Sequence, residues 1–316
     1  MSFAVRQAWP DDVGDLVALA VECQSDPNRA CAYLSDDGAA ITAELTEIDG
    51  AQDWCSVTWV ALGDDRSVLG WIAAESDADM GRIWWFGPFL APDDTGPMAA
   101  AVPDALFGIA SAAMDVFGEH EVVADERSTV LSEFAERAGF AAGEGSVSLR
   151  CDALNAKSAA MAGMPGMAGM AEMGAVAGSV PFGISVVDGA EERVVALHDE
   201  LFPGTHSPGA HLFGEHDDRH DRFVARIDGT PVGYVATELQ HDGSLYVDYL
   251  GVDPVHRGHG IGRALVSTAL AHRAAEATHA HLTVRTSNER ARRLYRSLGF
   301  VDEAVLVPYR RGFSLD

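Results

Sequence analysis

Lysine is nearly absent from this sequence: Lys157 is the only one in 316 residues. Lysine and arginine together number 22 against 48 aspartates and glutamates, so the formal net charge is −26. Nucleic acids and anionic membrane surfaces are bound through clustered basic side chains. We therefore expect neither nucleic acid nor a membrane as a partner. The acidic surface mainly favours solubility, although it would also attract a cationic amine.

Cysteine is also scarce, and long apolar runs are missing. Cys23, Cys31, Cys55 and Cys151 all lie in the first half, without the spacing of a zinc site or a disulfide framework. No run of about 18 apolar residues occurs, and the first residues do not resemble a secretion signal. These absences predict a cytoplasmic protein without a metal site or a membrane-spanning helix.

The chain is long enough for two domains, and one segment is typical of a linker. Residues 155–179 consist almost wholly of Ala, Gly and Met, with few large side chains to pack. A thioether array of this kind can bind Cu(I), but a connector is the preferred interpretation. We therefore expect domains over residues 1–154 and 180–316.

The two halves repeat the same order of predicted strands and helices. LGWIAAE at residues 69–75 matches VGYVATE at 232–238, and AGF at 138–140 matches LGF at 298–300. Such matches at nearly constant separation indicate a tandem duplication. The predicted fold class is α+β, with two similar domains.

The strongest functional signal is DPVHRGHGIGRAL, in which Gly258, Gly260 and Gly262 separate a strand from a helix. Glycines at such a turn let backbone N–H groups approach a phosphate, and the helix N-terminus favours negative charge. The lysine and hydroxyl residue of a P-loop are missing, as is the spacing of a dinucleotide-binding loop. The segment therefore predicts a different anionic cofactor.

Two motifs resemble those of the GNAT superfamily of acetyl-CoA-dependent N-acetyltransferases. RGHGIG at residues 257–262 matches (Q/R)xxGx(G/A), and residues 288–300 match NxxAxxxYxxxGF. The resemblance implies two GNAT-like domains, each a mixed, mostly antiparallel sheet flanked by helices. It also implies acetyl-CoA as cosubstrate, with backbone amides on its pyrophosphate and the end of a strand on its pantetheine arm. The implied cofactor-binding residues are Leu250, Gly251, Val252, Arg257, Gly258, His259, Gly260, Ile261, Gly262, Arg263 and Asn288.

Tyr295 is implied to be the general acid that protonates the departing thiolate. It lies seven residues after Asn288, so the two share one face of the predicted helix. A phenol with a pKa of about 10 is a workable donor to a thiolate whose conjugate acid titrates at about 8.5. A purely packing role for this aromatic ring is the alternative.

The attacking amine needs a base, and Asp248 in LYVDYLGV is the candidate. Strand alternation predicts Tyr246, Asp248, Leu250 and Val252 on one face, and in the family the base often precedes this Leu by two or four residues. Partial burial would raise the pKa of Asp248 toward neutrality. Alternatively, Asp248 is a strand carboxylate whose hydrogen bonds are satisfied within the fold, or it binds a positive charge of the substrate. Glu238 is the second candidate for the base.

Two further segments bear on the acceptor. The loop over residues 206–220 is expected to contact it, in preference to a metal site at His216 and His220. In the first half no glycine loop precedes the helix, and Ser128 and Ala135 stand near the Asn and Tyr positions of the second motif. We therefore expect the first domain to have lost acetyl-CoA binding.

The predicted function is transfer of acetyl from acetyl-CoA directly to a primary amine of a small molecule or peptide. An acetyl-CoA-binding regulatory protein without turnover is the alternative from another class. A tandem acetyltransferase of the mycothiol synthase type is a more specific alternative. The loops that select the amine lie outside both motifs, and either a monomer or a homodimer fits the sequence.

Overall fold

A computed structural model describes residues 2–32, 34–47, 54–78, 80–92, 97–114, 118–152, 154, 182–186, 191–205, 207–214 and 218–312. In the first half the elements are β1 (Phe3–Gln7), α1 (Val13–Gln24), α2 (Gly38–Glu47), β2 (Thr58–Gly63), β3 (Val68–Asp77), β4 (Arg82–Leu90), α3 (Pro97–Ala113), β5 (Glu119–Asp125), α4 (Thr129–Arg137), β6 (Ala141–Ala142) and β7 (Ser146–Cys151). In the second half they are β8 (Gly183–Val186), α5 (Glu192–Leu201), α6 (Gly209–Leu212), β9 (His220–Ile227), β10 (Thr230–Leu239), β11 (Leu245–Val252), α7 (Ile261–Arg273), β12 (Ala280–Arg285), α8 (Glu289–Leu298) and β13 (Val301–Gly312).

These elements form two compact units, of which the first consists of two separate segments of the chain. One unit contains Met1–Ser146 and Ala304–Asp316, and the other contains Val147–Glu303. The boundaries differ from those expected at residues 154 and 180, because β7 joins the sheet of the second unit and most of β13 joins that of the first. The predicted linker at 155–179 lies outside the described residues.

The first unit has a mixed sheet with strand order β1-β2-β3-β4-β5-β13. Strands β1 to β4 pair antiparallel, β4 pairs parallel with β5, and β13 pairs antiparallel with β5. Its core contains Trp71 and Phe89 from the sheet with Leu16 of α1 and Leu106 of α3, all fully buried.

The second unit has the strand order β8-β9-β10-β11-β12-β7, antiparallel from β8 to β11 and parallel between β11 and β12. Helix α7 packs against a core that includes Val235 of β10, whereas Tyr234 of the same strand packs with Val194 of α5. Because side chains alternate along a strand, α7 and α5 cover opposite faces. The expected mixed, mostly antiparallel sheet with flanking helices is confirmed.

Strand β13 extends beyond its apolar residues, because its second half is stabilised by pairing. The apolar run ends at Val307, but β13 continues to Gly312 opposite β5, and Arg310 forms an ion pair with the buried Glu121. Pairing with a neighbouring strand can therefore keep polar residues in a strand beyond its apolar run.

Deletion of residues 304–316 is expected to destabilise the first unit, because β5 loses its antiparallel partner. All six tryptophans of the chain lie in this unit, at residues 9, 54, 59, 71, 84 and 85, so their fluorescence reports on it selectively. We expect the fluorescence-detected Tm to fall by about 5 °C or more. An unchanged tryptophan transition would show that β13 adds no stability to this sheet.

Candidate functional site

The parallel strands β11 and β12 separate soon after they begin. Their register pairs Leu245 with Ala280 and Tyr246 with His281, and no further pair between them is formed within the described stretch 218–312. The edge of β11 over residues 247–252 therefore faces a gap, which we call the β11 groove. Unpaired strand edges bind extended ligands through backbone hydrogen bonds.

A β-bulge in β11 lies at the start of this groove. Opposite β10, Val247 pairs with Thr237 and Tyr249 pairs with Ala236, so Asp248 is an extra residue without a partner. A bulge re-aims the following side chains. Leu250 and Val252 accordingly pack against the α7 core, and Tyr249 packs with the α5 cluster. The expectation that Asp248, Leu250 and Val252 share one face with Tyr246 is wrong, because uninterrupted alternation does not hold across a bulge.

The bulge nevertheless leaves the backbone N–H groups of Leu250 and Val252 directed into the β11 groove. The N–H of Asp253 donates to the carbonyl of Val232 on β10, at 2.9 Å. Since successive N–H groups point to opposite sides of a strand, those of Val252 and Leu250 face the groove. Gly251 has a packing role, because a Cβ there would lie 2.4 Å from the ring of Tyr234.

The glycine loop, residues 257–262, follows the end of β11 directly. Gly258 and Gly260 have φ of 90° and 83°, and a Cβ at either would meet nothing within 4 Å. No side chain caps α7 within residues 218–312, and its first backbone bond runs from Ala264 to Gly260 at 3.0 Å. The N–H groups of the preceding first turn are therefore free of intrahelical acceptors, as at any helix start. The loop presents left-handed backbone and a bare helix N-terminus to open space.

Side chains in and around the loop have distinct roles. Arg257 donates through Nε to the carbonyl of Val252 at 2.9 Å, which ties the loop to the end of β11. His259 contacts the carbonyl of His256 through Nδ1, at 3.2 Å. Ile261 is buried in the core, and Arg263 donates to Ser297 Oγ on α8 at 2.7 Å. The loop is therefore anchored on both sides.

Helix α8 begins at Asn288 and carries Tyr295 two turns later. Asn288 Oδ1 accepts from the N–H of Ala291 at 3.1 Å, so its Nδ2 hydrogens and the second lone pair of Oδ1 remain for a ligand. Tyr295 is 7% exposed, its ring packs against Phe300, and burial raises the pKa of its hydroxyl. Among the described residues, no group accepts a hydrogen bond from this hydroxyl. Its oxygen is also not among the fully buried side-chain atoms that lack a hydrogen-bond partner. The hydroxyl therefore reaches accessible surface.

Asp248 lies in an environment that favours its protonated form. Burial raises its pKa to about 7, and repulsion from Glu238 adds to the shift while Arg222 opposes it. Glu238, the second candidate, lies 3.7 Å from the guanidinium of Arg219 and is about a third exposed. A carboxylate that titrates near neutrality suits proton transfer better than a paired, accessible one.

A buried network beside Asp248 has no signal in the sequence motifs. His198 Nδ1 lies 2.6 Å from Tyr234 Oη, and its Nε2 lies 2.8 Å from the carbonyl of Ser207. Burial lowers the pKa of His198, so the neutral ring donates to that carbonyl and accepts from the tyrosine. Tyr249 is hydrogen-bonded to Thr205. These bonds fix Thr205 and Ser207, the latter in the loop segment expected to contact the acceptor, against the face that carries Asp248.

The predicted metal alternative gains no support. His216 lies outside the described residues. Within the part of the chain that the structure describes, no three His, Cys, Asp or Glu side chains are grouped to hold a metal ion. Over the same residues, no helix is both long and apolar enough to cross a membrane.

In the first unit the corresponding gap between β4 and β5 is filled by the chain itself. The strands pair from Arg82–Glu119 to Trp85–Val122, and beyond them Cys31 forms a bridge with Ala124. The N–H of Gly87 donates to Cys31 Sγ at 3.3 Å, and that of Ala32 donates to the carbonyl of Val123 at 3.0 Å. We call residues 29–32 the internal plug.

Three other positions of the first unit correspond to candidate site residues of the second unit. Ser128 caps α4 by accepting from the N–H of Leu131, as Asn288 caps α8. Ala135, at the position of Tyr295, is buried and has no acidic group. Pro88 stands at the position of Leu250 and has no N–H to direct into a groove.

The acetyltransferase (GNAT) family model matches residues 191–300, which contain the β11 groove, the glycine loop and α8. The N-alpha-acetyltransferase RimI of Mycobacterium tuberculosis is 35% identical over 130 residues, covering 40% of this chain and 81% of that protein. The chain belongs to the GNAT acetyltransferase family. It is therefore an acyltransferase of the GNAT type.

Another relative matches part of the chain in sequence, and two solved structures match nearly all of it in fold. A mycothiol acetyltransferase of Thermobispora bispora is 42% identical over 98 residues, 28% of this chain and 32% of that enzyme. The chain thus matches about a third of the length of that relative. A GNAT structure from Sphaerobacter thermophilus has a TM-score of 0.67 at 16% identity, covering 98% of this chain and 95% of its own. A tandem GNAT protein of clavulanic acid biosynthesis has a TM-score of 0.67 at 14% identity, covering 98% of each chain. At these identities they show the fold alone, which confirms two GNAT-like domains.

Proposed function

We propose that the second unit binds acetyl-CoA and transfers its acetyl group directly to a primary amine of a small molecule or peptide. The observation that carries this proposal is the continuity of the β11 groove with the glycine loop, joined by the Arg257–Val252 hydrogen bond. An unpaired strand edge suits the amide-containing pantetheine arm, and left-handed backbone before a bare helix N-terminus suits a pyrophosphate. Acetyl-CoA, once bound, would supply an activated thioester.

In this proposal the chain's own residues hold the reacting groups and move two protons. The N–H groups of Leu250 and Val252 donate toward the carbonyl to be attacked. Asp248 takes the proton of the amine, for which its pKa of about 7 is suited. Tyr295 donates its hydroxyl proton to the leaving sulfur. Because burial raises the pKa of Tyr295, the phenol keeps its proton until that step.

An acceptor screen tests the proposal. The amines are short peptides with a free α-amino group, amino acids, polyamines and aminoglycosides, each incubated with acetyl-CoA and monitored by product mass and thiol release. Peptides are included because RimI, by its name, acetylates α-amino groups. The acidic pair Asp248 and Glu238 favours a cationic acceptor over a neutral one. Acetyl-CoA binding without turnover of any amine would favour the regulatory alternative.

Asp248→Asn is expected to lower kcat/KM most at pH values between about 7 and the pKa of the amine, about 8 for an α-amino group. Above its own pKa of about 7 the wild-type carboxylate is ionised and accepts a proton, while the amine still arrives protonated. Below this window the wild-type carboxyl is itself protonated, so the two proteins converge. If the ratio of kcat/KM between the wild type and Asp248→Asn stayed constant across the pH profile, Asp248 would be ruled out as the base.

Stability provides the matching control for this variant. The folded-state pKa of Asp248 is raised, so the wild type favours the protonated carboxyl and loses stability as pH rises toward about 7. Asparagine cannot ionise, so Asp248→Asn is expected to have a higher Tm than the wild type at about pH 8 and a similar Tm at about pH 4. A rate loss combined with this gain in stability separates a catalytic defect from misfolding.

A further inference from the structure

The second unit carries a concentration of arginine that the proposed function does not use. Of 22 basic side chains in the chain, five lie within residues 285–296, at positions 285, 290, 292, 293 and 296. The net charge of the chain is −26, but this segment is rich in positive charge because of these five arginines. Four of them lie on α8, next to the helix that follows the glycine loop.

The arginines of α8 fall into two sets with different surroundings. Arg292 and Arg296 form ion pairs with Asp302 at 3.1 and 2.5 Å, and Arg292 also pairs with Glu289. Arg293 is 69% exposed, and its ion pair with Glu289 is long, at 3.8 Å. Arg290 is exposed and forms no ion pair with any residue that the structure describes. In the first set, Arg292 and Arg296 are paired with carboxylates and hold the helix in place. In the second set, the positive charges of Arg290 and Arg293 are not balanced by a close carboxylate among the described residues.

The second set faces the start of α7. Positions 290, 293–294 and 297 form one stripe of α8, because residues three and four apart are neighbours on a helix surface. Leu294 on this stripe lies 3.4 Å from the Cβ position of Gly262 in the first turn of α7. Ser297, on the same stripe, accepts a hydrogen bond from Arg263 at 2.7 Å. Arg263, Arg290 and Arg293 therefore border the glycine loop.

We propose that Arg263, Arg290 and Arg293 form a second anion site that binds the 3′-phosphate of coenzyme A. The inference rests on the proposed binding of acetyl-CoA in the β11 groove. Backbone N–H groups of the glycine loop are directed at the pyrophosphate, whereas a phosphate monoester dianion is matched best by arginine. The rest of the chain repels a polyanion, so a cationic site beside the loop raises both affinity and association rate.

The test compares coenzyme A with 3′-dephospho-coenzyme A by calorimetry on the full chain. The wild type is expected to bind coenzyme A about tenfold more tightly or better, and the ratio should shrink between about 50 and 300 mM salt. The double variant Arg290→Gln/Arg293→Gln should lose this preference while its affinity for the dephosphorylated ligand stays unchanged. Arg263→Gln should reduce the preference in the same way.

Arg296→Gln is the matched control, because it removes an arginine from the same helix that is paired with Asp302 and lies off the stripe. It should keep the wild-type preference. Equal binding of the two ligands by the wild type would overturn the proposal, as would a double variant that loses affinity equally for both. Failure of the folded wild type to bind either ligand would instead refute the acetyl-CoA site itself.

Discussion

Tyr295→Phe is expected to lower kcat by about 100-fold or more, while the affinity for acetyl-CoA changes by less than about twofold. The substitution keeps the ring that packs against Phe300 and removes only the hydroxyl, which reaches accessible surface without a partner among the described residues. Loss of a positioned general acid acts on the transition state and not on cofactor binding. Steady-state kinetics with the best acceptor and calorimetry with acetyl-CoA measure the two effects separately.

Tyr309→Phe is the matched control, because it removes a phenolic hydroxyl from β13, in the sheet of the first unit. It should leave kcat unchanged. If Tyr295→Phe kept near-normal turnover while its acetyl-CoA affinity fell, the tyrosine would be a cofactor-packing residue. Water or another donor would then have to protonate the thiolate.

The parts of the site that depend on local sequence could be predicted. Positive φ at Gly258 and Gly260, the Asn288 cap and the two-turn spacing to Tyr295 all follow from residue types at short separation. The helix predicted around Tyr295 is present as α8, Glu289–Leu298, with Asn288 as its N-cap. Local rules work there because backbone conformation at turns and caps is decided by neighbouring residues.

The parts that depend on pairing between distant strands could not be predicted. The bulge at Asp248 arises where β10 and β11 shift register, and no residue in LYVDYLGV marks it. The exchange of β7 and β13 between the units likewise depends on partners more than 100 residues away. Periodicity assigns a strand to a face only while its register is continuous.

The internal plug is a third non-local feature, and it occupies the gap between β4 and β5 in the first unit. The sequence shows that the glycine loop is missing there, which predicts that the first unit has lost acetyl-CoA binding. The structure adds that Cys31 and Ala32 already bond to the edges that a ligand would use. Burial raises the pKa of the Cys31 thiol to about 12, so it stays a neutral packing group.

Gly260→Asp is expected to abolish acetyl-CoA binding, with a loss of affinity of about 100-fold or more. At Gly260 a Cβ projects into open space in front of the helix N-terminus, so the new carboxylate would occupy the place proposed for the pyrophosphate. Like charges brought together in this way repel by several times the thermal energy. Calorimetry of the purified variant measures the loss.

Gly229→Asp separates the effect of charge at the loop from the effect of backbone strain. Gly229 has φ of 78°, close to the 83° of Gly260, and a Cβ there also meets nothing within 4 Å, but it lies in the turn between β9 and β10. Both variants therefore carry the same left-handed strain and the same added charge. Only Gly260→Asp should lose the cofactor, and the wild type should bind one equivalent per chain. If Gly260→Asp kept the wild-type affinity, the glycine loop would not be the pyrophosphate site. If instead the wild type bound two equivalents and Gly260→Asp bound one, the first unit would hold a functional site, and the plug at Cys31 would have to be displaced by the ligand.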